Sequence, residues 1–193
     1  MKIIINLILV LLILAFAYFL YQSIAEPIRF TDEKVKREKV VINRLKDIRK
    51  SQEIFREITD SFANNFDTLI YVLKNDSIPV IKIIGNPDEI GTEDAVEYDT
   101  IYFSALDSIT KMNINLDSIP YIPYANGKKF YMEAGEIDYQ KTKVNVVEAG
   151  AAYKDFMGKY ADKAYKKYET GYDPENMVKF GDLNSPNLTG NWE

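Results

Sequence analysis

The chain has no histidine and no cysteine among its 193 residues. Without histidine there is no imidazole base, no imidazole metal ligand and no Ser-His nucleophilic pair. Without cysteine there is no disulfide, thiolate ligand, thiol nucleophile or lipid-modified lipoprotein N-terminus. No P-loop, dinucleotide glycine pattern or G-x-S-x-G elbow occurs. Positive charge is also short: 24 Lys and Arg stand against 29 Asp and Glu, net −5. That balance argues against a nucleic-acid partner, whose phosphates require clustered cations. These absences leave few routes to catalysis, so no enzyme activity, cofactor or metal centre is expected.

Charge is missing altogether from the 18 residues Ile3–Leu20. As a helix this run spans ~27 Å, close to the thickness of a bilayer core. A cleaved signal peptide would use Lys2 as its basic start and Ser23-Ile24-Ala25 as the cleavage site. The run is longer than the ~7–15 residues usual for the apolar part of such a peptide. Tyr18 and Tyr21 sit at its far end, where aromatic rings favour the membrane–water interface. An uncleaved anchor over residues 1–25 is therefore expected, with the lipid bilayer as partner. The basic residues that follow, Arg29, Lys34, Lys36, Arg37 and Lys39, favour a cytoplasmic bulk by simple count. Asp32, Glu33 and Glu38 are interleaved with them, so contact with anionic headgroups is less expected than a solvated stalk.

Pro27 is expected to interrupt the helix that leaves the membrane, with Thr31 capping a new one. Residues 26–40 are polar on all sides and predict that stalk; Asp32–Lys36 and Glu33–Arg37 are favourable i,i+4 pairs. A stripe at 4-3-4-3 spacing follows: Val41, Leu45, Ile48, Gln52 and Phe55. It predicts an amphipathic helix to about Thr59, laid on a sheet of its own domain or offered to a partner helix. A short helix is expected from Phe66 to Asn75, and strands over Ile78–Ile84, Ile101–Phe103, Lys143–Glu148 and Met177–Phe180. Asp-Ser-Ile recurs at 76–78, 107–109 and 117–119, which suggests strand starts. Asn126-Gly127 predicts a type I′ turn joining strands at Tyr121–Tyr124 and Lys128–Met132. Residues 161–169 suggest a short helical stretch, and 184–193 a loosely held tail. The sum is an α+β domain over 41–183 with an antiparallel meander.

Three weaker chemical signals remain. Ser108-Ile109-Thr110-Lys111 fits S-x-x-K, but the companion S-D-N and K-T-G motifs are missing. Asp88, Glu89, Glu93, Asp94, Glu97 and Asp99 form an acidic stretch without the spacing of a calcium loop. Tyr121, Tyr124 and Tyr131, three of fourteen tyrosines, would form a ligand face for a glycan or peptide if their rings cluster on the surface.

Residues 48–55 (Ile-Arg-Lys-Ser-Gln-Glu-Ile-Phe) and 62–69 (Phe-Ala-Asn-Asn-Phe-Asp-Thr-Leu) carry a Gln–x–x–aromatic helix end, then a loop aromatic and a short Leu-containing helix. With the apolar N-terminal helix, this resembles type IV pilins and the pseudopilins of type II secretion, over about the first third of the chain. The resemblance implies a long helix packed on an antiparallel sheet, with the domain outside the inner membrane. It therefore opposes the count of basic residues, and the periplasmic orientation is the one expected. The processing glycine and following glutamate of pilins are not matched: no Gly precedes the run and the first acid is Glu26. The resemblance thus bears on topology rather than on peptidase processing or filament growth. A wider resemblance, to Bacteroidota envelope proteins with no activity to carry over, rests on Arg49-Lys50-x-Gln52, Asp76-Ser77-Ile78-Pro79, Val146-Val147-Glu148-Ala149 and Gly190-Asn191-Trp192-Glu193. Together they imply a structural or adaptor subunit, partnered by other envelope proteins or by copies of itself.

Overall fold

The computed structural model describes residues 2–84 and 97–193. One helix, α1 (Lys2–Thr59), dominates it. Two further helices, α2 (Phe66–Asn75) and α3 (Ala105–Lys111), flank an antiparallel ribbon of β1 (Ser77–Ile84) and β2 (Glu97–Ser104). A second antiparallel sheet runs β3–β4–β5, from β3 (Tyr131–Tyr139), β4 (Thr142–Ala152) and β5 (Met177–Gly181). The fold is α+β, with a long apolar N-terminal helix and two small antiparallel sheets. The acidic stretch lies mostly outside the described residues; Glu97 and Asp99 fall in β2.

The 4-3-4-3 stripe does what its spacing requires. Val41, Leu45, Ile48, Gln52 and Phe55 are all buried, and they pack with Val147, Ala149, Val178 and Phe180 of the larger sheet in one core. Gln52 is the polar member of that face. Its amide donates to the Ala63 carbonyl at 2.8 Å and accepts from the Ala63 N–H at 2.9 Å. The pair pins the turn after α1, so that Phe62, Ala63 and Phe66 close over the core. Asn65 then caps α2 by accepting from the Thr68 N–H at 2.8 Å.

Four expectations are corrected. Pro27 does not break α1; the helix runs through it. Its ring deprives the Ser23 carbonyl of a helical donor, and Ser23 lies on the exposed surface, where solvent or headgroups can serve instead. Thr31 is accordingly inside the helix, its hydroxyl donating to the Pro27 carbonyl at 3.0 Å. Residues 26–40 are not a solvated stalk, because Phe30 is fully buried. Nor is the tail loose. Gly181 donates to Thr189 at 3.1 Å, Asn191 to Lys179 at 3.0 Å, and Glu193 pairs with Arg49 at 2.9 Å. Only glycine serves at 181: φ is +78°, and a Cβ would lie 1.9 Å from the Val147 carbonyl oxygen.

The turn at Asn126-Gly127 has φ of 50° and 83°, closed by Lys128 donating to Ala125 at 3.1 Å. The strands beside it shrink to one bridge, Tyr121 with Lys129. Pro123 has no N–H to give, and Tyr124 turns left-handed at φ 66°, so pairing stops there. Of the three Asp-Ser-Ile phrases only the first starts a strand. The second lies in α3 and the third in a turn where Asn115 accepts from the Asp117 and Ser118 N–H groups.

Candidate functional site

The most developed cluster lies where α1 leaves its apolar half. The stripe extends upstream at the same spacing, through half-buried Arg37 and Lys34 to buried Phe30. Phe30 is ringed by Tyr160, Tyr165, Tyr168 and Tyr172, with centroids at 5.7, 5.3, 6.2 and 5.0 Å. These tyrosines come from the irregular segment between β4 and β5, which is folded into short helical turns at Tyr153–Phe156, Gly158–Tyr160 and Lys163–Lys167. The Tyr172 hydroxyl donates to the Tyr160 carbonyl at 2.6 Å, and burial pushes it up to about 12.

Polar groups lock the same junction. Tyr168 donates to the Glu26 carboxylate at 2.6 Å, which holds that carboxyl below its usual range. Lys34 bonds Glu169 at 2.6 Å, and Tyr153 donates to Glu38 at 2.9 Å. Burial, then the Glu38 carboxylate, raises the Tyr153 hydroxyl well above its ordinary value. Arg37 bonds Glu33 at 2.9 Å and the Phe156 carbonyl at 2.7 Å. The expected Glu33–Arg37 pair thus forms, and its arginine also clamps the domain. These contacts make the junction stiff. They fill it with satisfied hydrogen bonds rather than leaving a reactive group free.

The sequence-expected site residues fall elsewhere. The face Val41, Leu45, Ile48, Gln52, Phe55, offered to a partner helix, is occupied by the chain's own core. A partner cannot reach it while the domain is folded, because β4, β5 and α2 already cover it. Tyr121, Tyr124 and Tyr131 are 44%, 47% and 40% exposed. Each is engaged separately: Tyr121 in the bridge with Lys129, Tyr124 beneath Arg37 at 5.1 Å, and Tyr131 donating to Glu133 at 2.5 Å. Ser108 of the S-x-x-K match donates to the Ser104 carbonyl at 3.2 Å, a bond local to α3. Among the described residues no group of three or more acidic side chains is arranged to hold a metal ion.

Sequence reasoning missed a surface on the β1–β2 ribbon. In its register Pro79 faces Tyr102 and Ile81 faces Thr100, while Val80 faces Ile101 and Ile78 faces Phe103. Paired residues share a face and successive ones alternate, so both faces are largely apolar. Ile81, Tyr98 and Tyr102 are 65%, 69% and 67% exposed, and Val80, Ile101 and Phe103 are exposed on the other side. The signal was present: neither Ile78–Ile84 nor Ile101–Phe103 alternates with polar residues, as a strand with one wet face would.

The first half of α1 is bare. Every described residue up to Ile24 is exposed, and the helix is long and apolar enough to cross a membrane. Compared with protein-family models, curated proteins and solved structures, the chain matches none.

Proposed function

We propose that the protein is a single-pass, membrane-anchored and non-catalytic subunit or adaptor of a cell-envelope assembly, pilin-like in plan, with its domain on the periplasmic side of the inner membrane. The observation that carries the reading is the continuity of α1. One unbroken helix is uncharged and bare through residues 3–24 and locked into the core from Phe30 onward. Such a helix couples the pose of the domain rigidly to whatever holds its apolar end. The bare ribbon supports a partner: exposed large apolar side chains on both faces of two strands gain by being covered. The partner surface is therefore the ribbon and the anchor, in place of the buried Val41–Phe55 face.

Site-specific photocrosslinkers at Ile81 and Tyr102, in intact membranes, test this. The expected product is a defined adduct with a second envelope protein or a second copy. Monomer alone would count against it. Protease treatment of spheroplasts reads orientation: a C-terminus digested from outside is expected, and a protected one in spheroplasts, cleaved only after lysis, reverses the topology. A second reading, a module for glycan or peptide, rests only on the exposure of Tyr121, Tyr124 and Tyr131, whose rings are engaged separately. On that reading their joint replacement by alanine abolishes ligand retention without altering the crosslinks.

A further inference from the structure

Two of the cations beside the membrane in sequence are already committed to other groups of the chain. Lys34 and Arg37 are engaged by Glu169, Glu33 and the Phe156 carbonyl. A different set is carried there by the fold. Lys159, Lys163, Lys166 and Lys167 are all exposed, in the segment that Tyr168 and Phe30 fasten to α1. Glu26, the anchor of that segment, is the first α1 residue in the sequence to bond the domain among the described residues. At 1.5 Å per residue it stands only ~9 Å beyond Leu20. The lysine segment is thus fastened to α1 close to its apolar half.

Its neighbours suit the same partner. Exposed Arg29 joins Lys159 and Arg37 around a cleft of about 440 Å³, also lined by Asp32, Glu33 and Tyr160. The Lys159 and Lys167 ammonium groups lie 4.7 and 4.6 Å from the ring centroids of Tyr160 and Tyr168. The acids nearby are each hydrogen-bonded, Glu26 to Tyr168, Glu33 to Arg37, Glu169 to Lys34 and Asp162 to the Ala164 N–H, and of these Glu33 and Glu169 are matched by a cation. Asp32 alone faces the cleft without such a bond. The four exposed lysines of residues 159–167 and Arg29 are complementary to a negative lipid surface.

We propose that the Lys159–Lys167 segment, with Arg29, docks on anionic phospholipid headgroups and so holds the domain down on the bilayer that its own helix enters. The inference rests on the membrane-anchor reading but not on orientation. The attraction acts within a Debye length, ~10 Å at 0.1 M salt, which the ~9 Å offset satisfies.

The cysteine-free chain permits a direct test. The full chain carrying Ala164→Cys, labelled with a fluorophore, is reconstituted into phosphatidylcholine vesicles with and without phosphatidylglycerol. Quenching is read from a headgroup spin label. Quenching about twofold stronger in the anionic vesicles is expected, falling to the neutral-lipid level in high salt and in K159E/K163E/K166E/K167E. Should that variant misfold, K163Q/K166Q, which alters two exposed residues only, is expected to lose part of the difference. Equal quenching in the two lipids, or an unchanged difference in either folded variant, overturns the docking while co-flotation with vesicles leaves the anchor standing. Failure to co-float with either vesicle sinks the anchor, and the docking with it.

Discussion

Residues 3–25 and 26–59 belong to one helix, yet they solve opposite problems. The first half is uncharged and mostly apolar, and every residue of it up to Ile24 is exposed. A helix of that kind requires an apolar surrounding on every side. The second half is apolar on one stripe, and the domain covers that stripe from Phe30 to Phe55. The difference is one of solvent: residues 26–59 meet the chain's own core, and residues 3–25 on the proposed reading meet lipid. At the seam, Pro27 shows how the two are joined. A proline in a helix interior costs ~3 kcal/mol or more in isolation. Here Glu26 and Phe30, on either side of it, are each held by the domain, and those contacts offset the loss.

The contrast can be broken most sharply at Phe30. Phe30→Ala removes a fully buried ring from among four tyrosines and is expected to destabilise the domain by about 3–5 kcal/mol, measured by chemical denaturation in detergent. Leu12→Ala, on the bare half, is expected to leave that transition where it was. If both substitutions were silent, α1 would not be part of the domain's core.

Leu12→Arg probes the other half. A charge near the centre of a spanning helix costs about 2.5–3.5 kcal/mol of insertion. Reduced retention in carbonate-washed membranes is expected, with the unfolding of the domain unchanged. Next in size is Gln52→Ala, which leaves the Ala63 N–H and carbonyl without partners inside the core. A loss of about 1–3 kcal/mol is expected, since a buried backbone group then goes unsatisfied. Lys50→Ala, an exposed residue of the same helix two positions away, serves as the control.

The smallest effect is a pH dependence at the seam. The Tyr168 hydroxyl lowers the Glu26 carboxyl below its unfolded value of 4.5. A lowered folded value means the contact contributes fully above that pH and is lost as pH falls through the folded value. Glu26→Gln is therefore expected to flatten the decline in melting temperature below pH 4.5. An acid limb identical to wild type would mean that Tyr168 does not hold this carboxylate in solution.

Much of the secondary structure was legible because it depends on short-range chemistry. The 4-3-4-3 stripe and the two positive-φ residues at 126 and 127 each need only their neighbours. The β3–β4 turn was not, since Gln140 and Lys141 take φ of 49° and 69° without the usual Asn-Gly signal. Helical spacing also continued upstream through Arg37, Lys34 and Phe30, but two charged residues there masked the stripe. A charged side chain counts as a wet face until its partner is known, and Glu169 lies 135 residues from Lys34. The ribbon's two apolar faces were visible as runs without alternation, though their exposure was not.

What the sequence determined alone was the apolar face of residues 41–55, the helix at Phe66–Asn75, the turn at Asn126-Gly127, and that one segment suits an apolar solvent on all sides. Spacing, turn residues and the run of uncharged residues are local properties, legible without a fold. Tertiary structure decided which polar residues are buried, that the tail is fastened by Arg49 and Asn191, and that Tyr168, which follows the lysines of residues 159–167, bonds Glu26. Those outcomes depend on groups far apart in the chain, whose pairing exists only once the core has closed and excluded water from between them.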